Sequence, residues 1–253
     1  MVRLPALITE YAKLDGRPRS TISWYARLAR EAGKLPTTKR GRGAAHMGVR
    51  EAVNLILACN GAEDPKEGAN AIERLRSYEV SWSLTGSQRD LELAMDRELD
   101  EIKNPDIREI AMQPNLGKVL EKLIHLTPNL FGTLYKNMQH LDPERNCKEI
   151  FTEIATTHNI SLSIEEHAVL LKIKVHSLHV IIDRLEKNSV EIMYTDDLDK
   201  YAIKYSGPPT EFRHVKTTLR FGLFLGLAKL FFEDSMKFPD ELIPQPKGGG
   251  RDG

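Results

Sequence analysis

Apolar side chains recur at helical spacing through the first third of the chain and change to a two-residue alternation toward its end. Leu4, Leu7, Ile8, Tyr11 and Leu14 share one face of a helix over residues 4–14, which Asp15-Gly16 closes as a turn. Arg17-Pro18-Arg19 breaks the chain, and Ser20 stands where an N-cap is expected for the next helix. Stepped at about 100° per residue, the stretch from Ser20 puts Ile22, Tyr25, Ala26, Ala29 and Ala32 on one side. Ser20, Ser23, Arg27, Arg30 and Lys34 fall on the other, a face read as free of acids. Gly33 ends this helix, and Leu35-Pro36 opens an extended excursion, Thr37 to Met47, with Lys39, Arg40 and Arg42 around Gly41 and Gly43. Two further helices are predicted: Gly48 to Asn60 on Val49, Ala52, Val53 and Ile56, and Ala69 to Glu79 on Ile72 and Leu75.

From Ser81 to Ser87 the chain turns polar, a credible junction, and Gln88 to Ile102 is a charged helix with a Leu91, Met95, Leu99 stripe. Leu116 to Leu126 reads as a helix, followed by a short helical piece around Leu134 and Met138 that Pro128 and Pro143 bracket. Beyond Cys147 the pattern is mixed. Ile150 to Thr157 and Leu178 to Leu185 have helical spacing, whereas Ala168 to His176, Val190 to Tyr194, Tyr201 to Tyr205 and Val215 to Phe221 read as strands. Gly222 to Phe232 is apolar nearly all round, so it must lie in a core or a subunit interface. The tail from Pro239 reads as disordered. The predicted class is α+β, with an N-terminal winged helix-turn-helix domain (1–80), a helical connecting segment (81–145) and a C-terminal mixed α/β domain (146–238).

Charge sharpens this division. The chain of 253 residues is neutral overall, yet residues 1–50 hold eleven Lys or Arg against three acids, a balance of +8 that the remainder offsets. That asymmetry points to a nucleic-acid-binding end and an acidic end suited to self-association or a protein partner. Two cysteines supply no disulfide framework. There is no apolar run of membrane-spanning length and no signal-peptide region at the N-terminus, so a cytoplasmic, nucleoid-associated protein is expected.

Cations and hydroxyls on one helix face suit a major groove, because Arg and Lys reach phosphates and guanine edges and Ser reaches phosphate or base. The candidate DNA-binding residues are Arg17, Arg19, Ser20, Ser23, Arg27, Arg30, Lys34, Lys39, Arg40 and Arg42, the last three on a basic loop suited to the phosphate backbone or a minor groove. Tyr11-Ala12-Lys13, Ile22 through Gly33-Lys34-Leu35-Pro36, and the Arg40 to Arg42 segment resemble the winged helix-turn-helix domains of MerR-like bacterial transcription regulators. In general organisation the chain is also similar to regulators of prophage-like elements. The resemblance covers Leu4 to Ala58 and implies groove contacts at Ser20, Ser23, Arg27 and Arg30 and wing contacts at Arg40 and Arg42. It departs from that family in having no coiled-coil helix after the wing and no metal-sensing cysteine set, so metal or drug sensing is not carried over.

No catalytic or phosphate-loop motif is present, and neither a cofactor nor an enzyme is expected. His176 and His179, with His158, His167 and Cys147 in the same region, lack the spacing of a zinc site. The expected function is a sequence-specific regulator that binds double-stranded DNA as a homodimer on a palindromic or repeated operator. Two alternatives stand beside it: an adaptor whose basic end docks on an acidic protein, and a DNA-binding accessory factor of a mobile element.

Overall fold

The structure is a computed structural model that describes residues 2–37, 45–81, 104–156, 160–164, 168–174, 189–195 and 217–232. Most of these residues are helical. The helices are α1 (Leu4–Asp15), α2 (Arg19–Glu31), α3 (Val49–Gly61), α4 (Gly68–Arg76), α5 (Pro105–Ala111), α6 (Leu116–Leu141), α7 (Cys147–Thr156) and α8 (Phe221–Phe232). Local chemistry sets several of their ends. Gly16 (φ 83°) and Gly33 (φ 72°) take the left-handed conformation that closes α1 and α2, and the Gly16 N–H donates to the Ala12 carbonyl. Pro18, not Ser20, occupies the N-cap position of α2, where its carbonyl accepts the N–H groups of Thr21 and Ile22. The Glu51 carboxylate accepts the Gly48 N–H at 2.7 Å and secures the start of α3.

α3 is the axis of the packing. Every residue from Ala52 to Asn60 is buried, which extends well beyond the inward face of Val49, Ala52, Val53 and Ile56 that the spacing predicts. Helices α2, α4 and α6 pack around it and Tyr11 of α1 reaches it, so its polar side chains need internal partners. Asn54 donates to the Lys34 carbonyl at 2.6 Å and accepts from Arg76 at 2.8 Å. Asn60 donates to the Tyr11 hydroxyl and to the Ile56 carbonyl, both at 2.8 Å.

α6 runs unbroken for 26 residues through Pro128, where two separate helical pieces are expected from the sequence. A proline inside a helix costs about 3 kcal/mol or more through the missing N–H and the steric conflict. Burial of Leu120, Leu123, Ile124, Leu130, Phe131 and Leu134 along the same helix offsets it, at about 1.5–3 kcal/mol per large side chain. The Thr127 hydroxyl, immediately before Pro128, donates to the Leu123 carbonyl at 2.6 Å.

The winged helix-turn-helix with a separate C-terminal mixed domain is not the fold of this chain. A single hydrophobic cluster runs from Val2 in the first strand to Ala228 in α8, and α8 packs on α1, α6 and α7. Residues 38–44 of the expected wing lie outside the described residues; at its far end β2 (His46–Met47) pairs antiparallel with β1 (Val2–Arg3), two residues from each. Five strands pair antiparallel in the order β3-β6-β5-β4-β7: β3 (Glu79–Ser81), β4 (Ile160–Ile164), β5 (Ala168–Lys174), β6 (Ser189–Thr195) and β7 (Thr217–Arg220). β3, which follows the N-terminal helices, joins this sheet by pairing Val80 with Tyr194, so the sheet does not belong to a C-terminal unit alone. The physical reason is burial. An apolar α8 and the apolar flank of α1 remove each other from water, and local periodicity does not reveal that pairing.

Gly226 is where these two helices meet. A Cβ placed there would lie 2.5 Å from one Leu14 methyl and 2.6 Å from the other. Gly226→Val is therefore expected to lower unfolding stability by about 1–3 kcal/mol in urea titrations, with Leu14→Ala in the same chain restoring part of it. An equal loss in the single and double variants would refute this contact.

Arg76 on α4 pairs with Glu121 on α6, which also accepts from Lys118 at 3.1 Å. Burial alone would raise the Glu121 pKa, but the hydrogen bonds from Arg76 and Lys118 outweigh it and hold the carboxyl below its ordinary value. A depressed folded-state pKa contributes stability that is complete above the unfolded value, about 4.3, and is lost as pH falls through the folded one. Glu121→Gln should flatten the acid limb of the stability–pH curve measured by denaturant unfolding.

Candidate nucleic-acid interface

α1 and α2 are joined by three residues, Gly16 to Pro18, and the turn is clamped from beneath by Arg17. The Arg17 guanidinium pairs with Asp15, donates to the Cys59 carbonyl, and reaches the Asn60 side-chain oxygen at 2.9 Å. The hydrogen bonds to Asp15 hold its pKa above the ordinary arginine value, against the opposing effect of burial. Burial pushes both the Cys59 thiol and the Tyr11 phenol upward, so both are neutral structural groups. Arg17 thus serves the interior, a role that sequence spacing does not distinguish from phosphate binding.

α2 rests on this base with Ile22, Tyr25, Ala26 and Ala29 buried, and the Tyr25 hydroxyl donates to the Ala62 and Glu63 carbonyls at 2.9 and 3.1 Å. Its opposite side is open. Arg19, Ser20 and Arg27 are exposed, and Ser23 and Arg30 are half-buried. Arg19 donates to the Thr9 hydroxyl on α1 at 3.0 Å. Lys34 is tied to Glu73 on α4. Lys39, Arg40 and Arg42 lie outside the described residues, as do His158, His167, His176 and His179.

Two residues on the open side escape a reading based on cations and hydroxyls. Glu31 lies one turn beyond Arg27, with the two side chains 3.7 Å apart and both more than half exposed, so this face does contain an acid. Trp24 is 45% exposed, four residues after Ser20 and three before Arg27. The same helical stepping that selects Ser20 and Arg27 also selects Trp24 and would have found it. A third feature arises from strand pairing. Arg3 and His46 stand opposite each other across β1 and β2 and are both exposed, a juxtaposition of residues far apart in sequence.

Among the described residues no group of three His, Cys, Asp or Glu side chains converges as metal ligands, and no helix is long and apolar enough to cross a membrane. A surface depression lined by Lys148, Glu149, Thr152 and Glu153 lies on α7, formed by one helix and therefore without converging groups from different elements. What remains is a convex, hydroxyl-bearing and cationic helix face mounted on a packed support. No protein family, curated protein or solved structure matches the chain.

Arg17→Met should destabilise the protein by about 2–3 kcal/mol, because it leaves the buried Asp15 carboxylate without its charged donor. Denaturant unfolding checks this value; a loss within about 0.5 kcal/mol, ordinary for a surface substitution, would return Arg17 to the exposed face.

Proposed function

We propose that this chain is a sequence-specific, double-stranded DNA-binding transcription regulator that uses the open face of α2 in a major groove. The observation that carries this reading is the two-sidedness of α2. Its apolar side is spent entirely on the core, and its other side offers Arg19, Ser20, Ser23, Arg27 and Arg30. A helix of 13 residues is about 20 Å long at 1.5 Å per residue, enough to lie in a groove about 12 Å wide. The Arg27–Glu31 pair is no obstacle, since exposed ion pairs are worth about 0–1 kcal/mol and a phosphate competes well for the guanidinium. Action as a homodimer on two half-sites, at the nucleoid, is part of the proposal. The balance of +8 in residues 1–50 supports the DNA-binding end, and the acidic remainder is the surface offered to a second copy or another protein.

A second reading has one observation in its favour. Trp24 and Glu31 on the same face would suit an adaptor that docks on a protein surface. Salt separates the two. A DNA binder loses log affinity linearly with log salt at a slope set by its phosphate contacts.

The test is enrichment of genomic fragments by the purified protein at two salt concentrations. Sharp peaks sharing a half-site and surviving the higher salt are expected, whereas diffuse enrichment that vanishes would favour the adaptor. Arg27→Ala should weaken binding to an enriched fragment by about 1–3 kcal/mol. If that variant still separates the fragment from random DNA as well as the wild type does, Arg27 contacts no base.

A further inference from the structure

We propose that Trp24 reads thymine: its indole sits against the C5-methyl group of one or two thymines on the floor of the major groove. The inference rests on the DNA-binding reading and assigns the base class that the site selects. Among the described residues, the large apolar side chains left exposed are Trp24 and Met112, and only Trp24 lies on α2. On α2's inner side Ile22 and Tyr25 are buried, and Leu28, one turn after Trp24, is half-buried. A large ring held half in water on a helix that already has a complete apolar face contributes nothing to the core from its exposed part. Such a ring is suited to an apolar group on a partner.

The chemistry around it narrows the partner. Ser20 is one turn before Trp24, Ser23 adjoins it and Arg27 is nearly one turn after, so the ring is set among groups that bind phosphate or polar base edges. The matching surface has anionic rims and isolated apolar spots between them. The major groove of DNA is that surface: phosphates line its edges, and the thymine methyl is the apolar group that base edges display within it. The Arg19 and Arg27 charges complement the rims, and the indole complements the methyl.

Uracil isolates this contact, because it keeps every hydrogen-bonding group of thymine and lacks only the methyl. Duplexes with a random core would be selected on the full-length protein, and the selected duplex remade with uracil at each thymine in turn. Wild-type affinity is expected to fall about fourfold for each methyl that Trp24 contacts, the value of one buried methyl-sized group. Trp24→Ala should bind the selected duplex about thirtyfold more weakly, as for a central aromatic anchor, and should no longer distinguish uracil from thymine. Trp24→Phe, which keeps an apolar ring, should retain part of the distinction and serves if the alanine variant does not fold. A wild-type protein that binds the selected duplex but is indifferent to uracil overturns this inference and leaves the DNA-binding reading intact. So does a Trp24→Ala variant that keeps the full thymine preference. Failure to retain any duplex at low salt overturns both.

Discussion

Burial of residues 52–60 of α3 on all sides is the constraint on which the other helices depend. A helical stretch removed from water can keep polar side chains only where each finds an internal partner, and residues 52–60 of α3 carry two asparagines in that position. Asn54 is satisfied by the end of α2 through the Lys34 carbonyl and by α4 through Arg76. Asn60 is satisfied by α1 through Tyr11 and by the α1–α2 turn through Arg17. Each amide therefore fixes the position of two neighbours, where an aliphatic residue would accept any close packing. A buried polar group left unpaired costs about 1–3 kcal/mol, so these bonds select one arrangement over near alternatives.

That arrangement determines what α2 can present. Its buried side is held at one end by the Arg17 clamp, near its middle by the Tyr25 hydroxyl on the loop after α3, and beyond its C-terminus by the Asn54 bond to Lys34. Three separate attachments fix the position of α2 on its support, and with it the side chains on its open face. The clamp also explains why the count of available cations is smaller than the count of cations. Arg17 is paired beneath the α1–α2 turn and Lys34 is tied to Glu73, so the basic excess of residues 1–50 overstates the charge offered to an anion.

Much of the local structure was legible in the residues. The periodicity of Leu7, Ile8 and Tyr11, the stops at Gly16 and Gly33, and the apolar side of α2 lie in the chain itself and reappear in the structure. These features depend on neighbours within one or two helical turns. The burial of residues 52–60 of α3 on all sides, the passage of α6 through Pro128 and the packing of α8 on α1 depend on residues tens to hundreds of positions away. The open face of α2 was legible in part: Ser20 and Arg27 follow from spacing, whereas Trp24 and Glu31 share that spacing but carry no cation or hydroxyl to draw notice.

Taken alone, the sequence determined that the N-terminal segment is built of helices, that Gly16 and Gly33 close the first two, which side of α2 faces inward, and that the basic charge is concentrated in the first 50 residues. The tertiary structure alone decided that α1 and α8 share one core, that Arg17 serves the interior, and that β3 pairs with a strand more than a hundred residues later. The division has a physical origin. Backbone propensity, capping and amphipathic spacing act over one or two turns, so they are written in adjacent residues. Hydrophobic burial has no direction and no sequence range, and any two apolar faces satisfy it equally until packing geometry and the pairing of buried polar groups choose between them.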